Sequence, residues 1–156
     1  MSEQGNDNPG VVAHPPLIFL GFLIAGFAID WFWPLSVFGP PGNYAYGGLL
    51  LGAGVVLMAL GVTTFVRAGT NVPTNRPSTM VVSNGPYNFS RNPIYVGMFL
   101  IYAGIAALAD NPWLFILALP LYFIMRHGVI AREERYLEGK FGAAYLAYKQ
   151  RVRRWL

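Results

Sequence analysis

The stretch Gly85 to Gly97 reads GPYNFSRNPIYVG and lies between two long apolar runs. Its thirteen residues include two prolines (Pro86, Pro93), two tyrosines (Tyr87, Tyr95), two asparagines (Asn88, Asn92) and Arg91. Proline fixes φ, offers no N–H, and pushes the residue before it toward extended backbone. Asn92 is therefore expected to be the last residue before a helix that Pro93 opens. That uncapped helix start faces a basic, aromatic loop, and its free N–H groups and positive dipole end suit a carboxylate or a phosphate.

Outward from this stretch the composition decides the solvent. Hydrophobic residues make up 54% of the 156-residue chain and charged ones only 12%, against about 25% charged in an ordinary soluble domain. Such a chain lacks the polar surface to wrap itself in water, so the expected fold is all-α, an integral membrane helical bundle. The absence of cysteine removes disulfides, thiolate nucleophiles and Cys-based metal sites, and two histidines, His14 and His127, are too few and too far apart for a metal cluster.

Taken in order, residues 1–16 form a polar tail without Lys or Arg, unlike the basic start of a cleaved signal, so the apolar run after it is expected to be retained. About four transmembrane helices are expected in a single membrane domain over 17–156, with spans near 17–33, 47–66, 94–109 and 113–126. Asp30 is expected at the interface beside Trp31 and Trp33. The Gly48-x-x-x-Gly52 pair of the second span is read as a close helix-packing device rather than a dinucleotide loop, since no strand precedes it. Residues 67–93 form a long polar loop, and Asp110-Asn111-Pro112 joins the last two spans as an antiparallel hairpin, with Pro120 expected to kink the second. A C-terminal amphipathic interfacial helix is expected over 129–154. Ile130, Glu134, Leu137, Phe141, Tyr145, Tyr148, Val152 and Trp155 form its stripe, with Gly139 and Gly142 as points where it could divide.

Basic residues orient the bundle. Arg67, Arg76 and Arg91 lie in the long loop, and the other eight of the eleven Lys and Arg lie from Arg126 onward. The positive-inside tendency then places the loop, the tail and both termini in the cytoplasm, at the cell inner membrane. Anionic membrane lipids fit this charge as partners, and no nucleic-acid-binding motif is present.

This topology brings the loop and the tail to one face, where their polar residues can converge. Glu134 is a carboxylate on an apolar stripe and Glu133 adjoins it; a buried acid demands a partner. Arg126, Arg132 or Arg91 could supply it, or the amine or cationic centre of a ligand. Arg91 fits either a headgroup anchor or a ligand contact, and Tyr87 and Tyr95 either interface aromatics or the walls of a ligand site. The residues alone lead to a cytoplasmic-facing membrane pocket able to take a zwitterion.

GPYNFSRNPIYVG, together with AGTN at Ala68 to Asn71 and EERYLEGKFGAAYLAYKQRVRRW at Glu133 to Trp155, resembles the isoprenylcysteine carboxyl methyltransferase and phospholipid methyltransferase family of integral membrane enzymes. The resemblance implies S-adenosylmethionine as cofactor and methyl transfer to a lipophilic or small-molecule acceptor carrying a thiol, carboxylate or amine. It assigns Gly85, Tyr87, Arg91, Asn92, Pro93, Tyr95, Gly97, Glu133 and Glu134 to the cofactor site, with Arg91 and Glu134 in catalytic roles. Where the family commonly has histidine, this chain has Asn92, which hydrogen-bonds but does not titrate near neutrality. The competing readings are an NADPH-dependent reductase related to the sterol reductases and a non-enzymatic membrane scaffold.

Overall fold

The computed structural model describes residues 9–71 and 77–156; Arg76 and the first half of the polar tail over 1–16 lie outside them. The described chain is helical, and its one β contact is an isolated parallel bridge between Ser90 and Arg153. Helix α1 spans Pro15–Phe32, α2 Gly42–Arg67 and α3 Pro93–Leu108. The fourth helical run begins with α4 (Pro112–Ile124), passes through a π-helical segment at Met125–Ile130, and continues as α5 (Ala131–Phe141); α6 (Ala143–Arg151) follows.

Three of these runs, Pro15–Phe32, Gly42–Arg67 and Pro112–Phe141, are long and apolar enough to cross a bilayer. Their outward faces are apolar, with Leu20, Ile24, Leu49, Val56, Ile116 and Leu119 all exposed, the surface a protein turns to lipid. Helix α3 is shorter, at 16 residues, and sits among the others, burying Tyr95, Val96, Tyr102, Ala106 and Ala107. Pro93 opens it and Asn92 precedes it, as the proline rule requires.

Helices α2 and α3 meet backbone to backbone along Gly47, Gly54 and Gly61 on one side and Gly97 and Gly104 on the other. A Cβ at Gly54 would lie 2.7 Å from the Gly97 carbonyl oxygen, and one at Gly104 2.6 Å from the Leu51 nitrogen. These glycines recur every seven residues, which keeps them on one seam. The reading of Gly48 and Gly52 as the packing pair is corrected here: both face open space, because the partner lies one residue around the helix.

At the end of the bundle away from the basic tail, Asp110 takes a positive φ of 48° and its carboxylate gathers the α1–α2 loop. It accepts from the backbone N–H of Val37 (3.0 Å), Phe38 (2.9 Å) and Gly39 (3.1 Å) and from the Ser36 hydroxyl. These bonds hold Asp110 well below the usual carboxylate range, the Phe38 N–H contributing most. Beside it, buried Asn111 caps α4 by accepting from Leu114 N–H at 3.3 Å and donates to the Gly26 carbonyl at 3.3 Å, tying α4 to α1.

The tail departs from the expected single helix over 129–154. Gly142 has φ +51°, a left-handed conformation that costs glycine little, and there the chain turns from α5 into α6. At its other end α5 has no free start, because the π-helical segment joins it to α4. A π turn takes up an extra residue, so Leu121, Met125, Val129 and Glu133, four apart, all stay buried on one side. The expected stripe therefore packs inward: Tyr145, Tyr148 and Val152 are buried against Phe65, Val82 and Tyr87 beneath the bundle.

Candidate functional site

Where α3 begins, the tail closes over it. The Arg91 N–H donates to the Arg153 carbonyl at 2.9 Å, the Asn92 side-chain amide to the Arg154 carbonyl at 2.9 Å, and the Ser90 hydroxyl to the same carbonyl at 3.4 Å. Tyr148 donates its hydroxyl to the Tyr87 carbonyl at 2.8 Å. The segment before α3 is thus strapped to the last residues of the chain. The Asn92 carbonyl accepts from the Val96 N–H at 3.0 Å, but its side chain is turned to the tail and leaves the α3 start without a side-chain cap.

The charges follow the same geometry. Arg91 donates from Nε (3.2 Å) and Nη2 (2.7 Å) to Glu134 Oε1, and from Nη1 to the carbonyls of Lys149 (3.1 Å) and Val152 (2.7 Å). Arg154 reaches Glu134 from the other side, with Nη2 2.6 Å from Oε2 and Nε 3.1 Å from Oε1. The side chains of Arg91 and Glu134 are 8% and 6% exposed, that of Arg154 28%. Burial by itself would raise the Glu134 pKa; the hydrogen bonds from Arg154 and Arg91 outweigh it and hold the group below its ordinary value.

Glu133 has a different environment. With six charged residues among its eleven, α5 is the polar end of the Pro112–Phe141 run, past its apolar part, yet Glu133 is buried within the protein and accepts a 2.7 Å hydrogen bond from the Tyr95 hydroxyl. Burial pushes its pKa up to about 8; the Tyr95 bond opposes this and the Glu134 charge adds to it. The two adjacent carboxylates are thereby driven apart, one fixed as an anion between two guanidiniums, the other close to changing charge at neutral pH.

Glu133 and Glu134 form one wall of a cavity of about 150 Å³. Its other walls are the α1 start (Pro15, Pro16), Phe65 at the end of α2, the loop residues Met80 and Val82, and Tyr145 and Tyr148 of α6. Of the residues singled out in the sequence, Tyr87, Arg91, Asn92, Tyr95, Glu133 and Glu134 line it. Three do not: Gly85 (φ +58°) makes a turn against Thr64, Pro93 is buried at the helix start, and Gly97 lies in the α2–α3 seam. Arg126 and Arg132 are not partners of the two acids; they bond to the Tyr122 hydroxyl and the Gly10 carbonyl. Arg154 was missed, because in a run reading RVRRW nothing separates the arginine that turns inward from its exposed neighbours. Tyr145 and Tyr148 were legible only as stripe residues.

A sequence profile described as phospholipid methyltransferase matches residues 43–144, which include the α2–α3 seam, Arg91, Tyr95, Glu133 and Glu134. An uncharacterized protein of Haemophilus influenzae is 38% identical over 63 residues, covering 40% of this chain and the whole of that protein. No solved structure matches the chain. An all-α membrane bundle with an acid pair beneath its helix ends, matched by that profile over about two thirds of its length, belongs to the phospholipid methyltransferase family, a family of membrane methyltransferases.

Proposed function

We propose that the chain holds S-adenosylmethionine in the cavity between α3 and the α5–α6 layer and methylates a lipophilic or small thiol, carboxylate or amine acceptor. The observation that carries this reading is Glu133, a buried carboxyl group on an aromatic-walled cavity with a tyrosine as its partner and, among the described residues, no cation paired with it. Burying such a group is costly unless something positive joins it. Tyrosine faces attract cations as well, so Glu133, Tyr87, Tyr95 and Tyr145 form a seat for a cationic centre. The cofactor presents two, a sulfonium and an ammonium. Its carboxylate fits the uncapped start of α3, and its purine fits the apolar wall of Met80, Val82 and Leu137.

The cavity is smaller than the roughly 300–1,000 Å³ of small-molecule sites, so binding requires a wall to yield. When bound, the cofactor supplies an electrophilic methyl group on positively charged sulfur. The protein's part is alignment and exclusion of water. Arg91 and Arg154 fix Glu134 and the strap, which holds the α6 tyrosines against the cavity. Asn92, its amide donating to the Arg154 carbonyl, serves to position the tail and does not titrate near neutrality. The described basic residues near the membrane, Arg67, Arg91 and those of the tail, gather at the end where α1 starts and α6 ends, while Asp30 and Asp110 mark the other. This supports a cytoplasmic cavity in the cell inner membrane with both termini cytoplasmic.

Titration calorimetry on protein purified in neutral detergent tests the reading with S-adenosylmethionine, S-adenosylhomocysteine and NADPH. Micromolar binding of the first two is expected, weakened at least tenfold in Glu133→Gln, a loss of about 1.4 kcal/mol. No binding of either removes the proposed function. Unchanged affinity in the variant removes the site, and tight NADPH binding favours a reductase. Transfer of labelled methyl into membrane lipid extract or into water-soluble thiols and amines then identifies the acceptor.

A further inference from the structure

On the far side of Glu134 from the cavity lies a second, polar depression of about 420 Å³, lined by His127, Ala131, Arg135, Glu138, Lys149 and Arg154 together with Glu134. Both of its carboxylates are already engaged: Glu134 by Arg91 and Arg154, and Glu138 by an ion pair with Lys149. Arg135, exposed, spends its Nε on the Ala131 carbonyl at 3.2 Å, and no ion pair is found for it among the described residues. Three cations against two acids leave the depression with one positive charge in excess.

Its position relative to the bilayer identifies the occupant. Ile116, Leu119 and Phe123 are 59%, 64% and 50% exposed, the lipid-facing side of α4. The His127 ring stacks on Phe123, with centroids 6.3 Å apart and planes 4° from parallel, so that side continues directly to His127. Ala131 and Arg135 follow at four-residue steps and open into the depression. One continuous face thus runs from hydrocarbon depth to a cationic hollow just beyond the end of the span, the profile of an acyl chain leading to a phosphate.

The geometry points to a site for the phosphodiester headgroup of an anionic phospholipid at Arg135, Lys149 and Arg154, with its acyl chain along Ile116, Leu119 and Phe123. Arginine and lysine at the headgroup level bind such phosphates by charge-assisted hydrogen bonds. The occupant lies outside the first cavity, and the site stands whether or not that cavity takes a methyl donor. It holds the α5–α6 layer against the bilayer, and through Arg154 its charge is one ion pair away from Glu134.

Thermal unfolding in a neutral detergent tests it, using dioctanoyl phosphatidylglycerol, dioctanoyl phosphatidylcholine and inorganic phosphate as probes. Phosphatidylglycerol is expected to raise Tm by several degrees in a saturable way, with phosphatidylcholine giving less than a third of that shift and phosphate none. Arg135→Gln/Lys149→Gln should lose at least two thirds of the phosphatidylglycerol shift. If the double variant does not fold, Arg135→Gln alone, an exposed change, should lose about half. Equal shifts from the two lipids overturn the charge assignment, and an equal shift from phosphate overturns the lipid source. A full shift in the variants overturns the site.

Discussion

Arg91→Ala is the sharpest test of the ion cluster. The substitution removes both bonds to Glu134 Oε1 and the donors to the Lys149 and Val152 carbonyls. Glu134, 6% exposed, then keeps only Arg154. Removing one partner of a buried ion pair costs about 3–5 kcal/mol, mostly because a charge is left under-compensated away from water. This is a large part of the roughly 5–15 kcal/mol that holds a domain folded. Arg154→Ala removes two bonds to the same carboxylate, but at 28% exposure water can reach the vacated place. Its cost should stay near that of hydrogen bonds to a charged group, about 1.5–3 kcal/mol. Denaturant unfolding in micelles, followed by tryptophan fluorescence, should therefore order the variants with Arg91→Ala the less stable. Adding Glu134→Gln to Arg91→Ala should recover part of the loss, since the stranded charge goes with it; contacting residues commonly couple by about 0.5–3 kcal/mol. If Arg154→Ala costs as much as Arg91→Ala, or if Glu134→Gln simply adds its own loss, the cluster is not organised around Arg91.

Two further outcomes follow from the geometry. In the folded chain Glu133 keeps its proton up to about pH 8, whereas unfolded it ionises near 4.5. Its contribution to stability is then fully present below pH 4.5 and lost as pH rises toward 8, with a slope of up to about 1.4 kcal/mol per pH unit. Glu133→Gln should flatten the fall in Tm over that window, and an unchanged pH profile would show that the group is ionised in the folded state. Gly97→Ala places a Cβ 2.8 Å from the Gly54 carbonyl oxygen and the Met58 nitrogen and should cost about 1–3 kcal/mol. Gly48→Ala, with nothing within 4 Å, should be neutral or stabilising; equal losses at the two positions would mean that the seam is misplaced.

The spans were legible because hydrocarbon enforces apolar runs, and the α3 start because proline leaves Asn92–Pro93 little choice. The meeting of the loop with the tail followed from charge asymmetry, which puts both on one face; that Arg91, and not Arg126 or Arg132, pairs with Glu134 did not. What stayed hidden depends on helical phase. Choosing Gly47, Gly54 and Gly61 over Gly48 and Gly52 requires knowing where α3 lies, and a single π segment shifts every later residue around its axis. The strap was hidden for another reason. Its bonds to Ser90, Arg91 and Asn92 run through the carbonyls of Arg153 and Arg154, which any residue could have supplied.

The α2–α3 seam also determines which parts of the molecule can breathe. Where two backbones touch through glycines, no side chains between them can change rotamer and give, so the pair behaves as one stiff ridge. Asp110 and Asn111 clamp the far ends of the helices to it. Room for a guest at the other end must then come from the walls opposite the ridge, the proline-led end of α1 and the layer bearing the two carboxylates. The groups that would greet a ligand are thus carried on walls outside the ridge, tied to it through the Arg91–Glu134 pair.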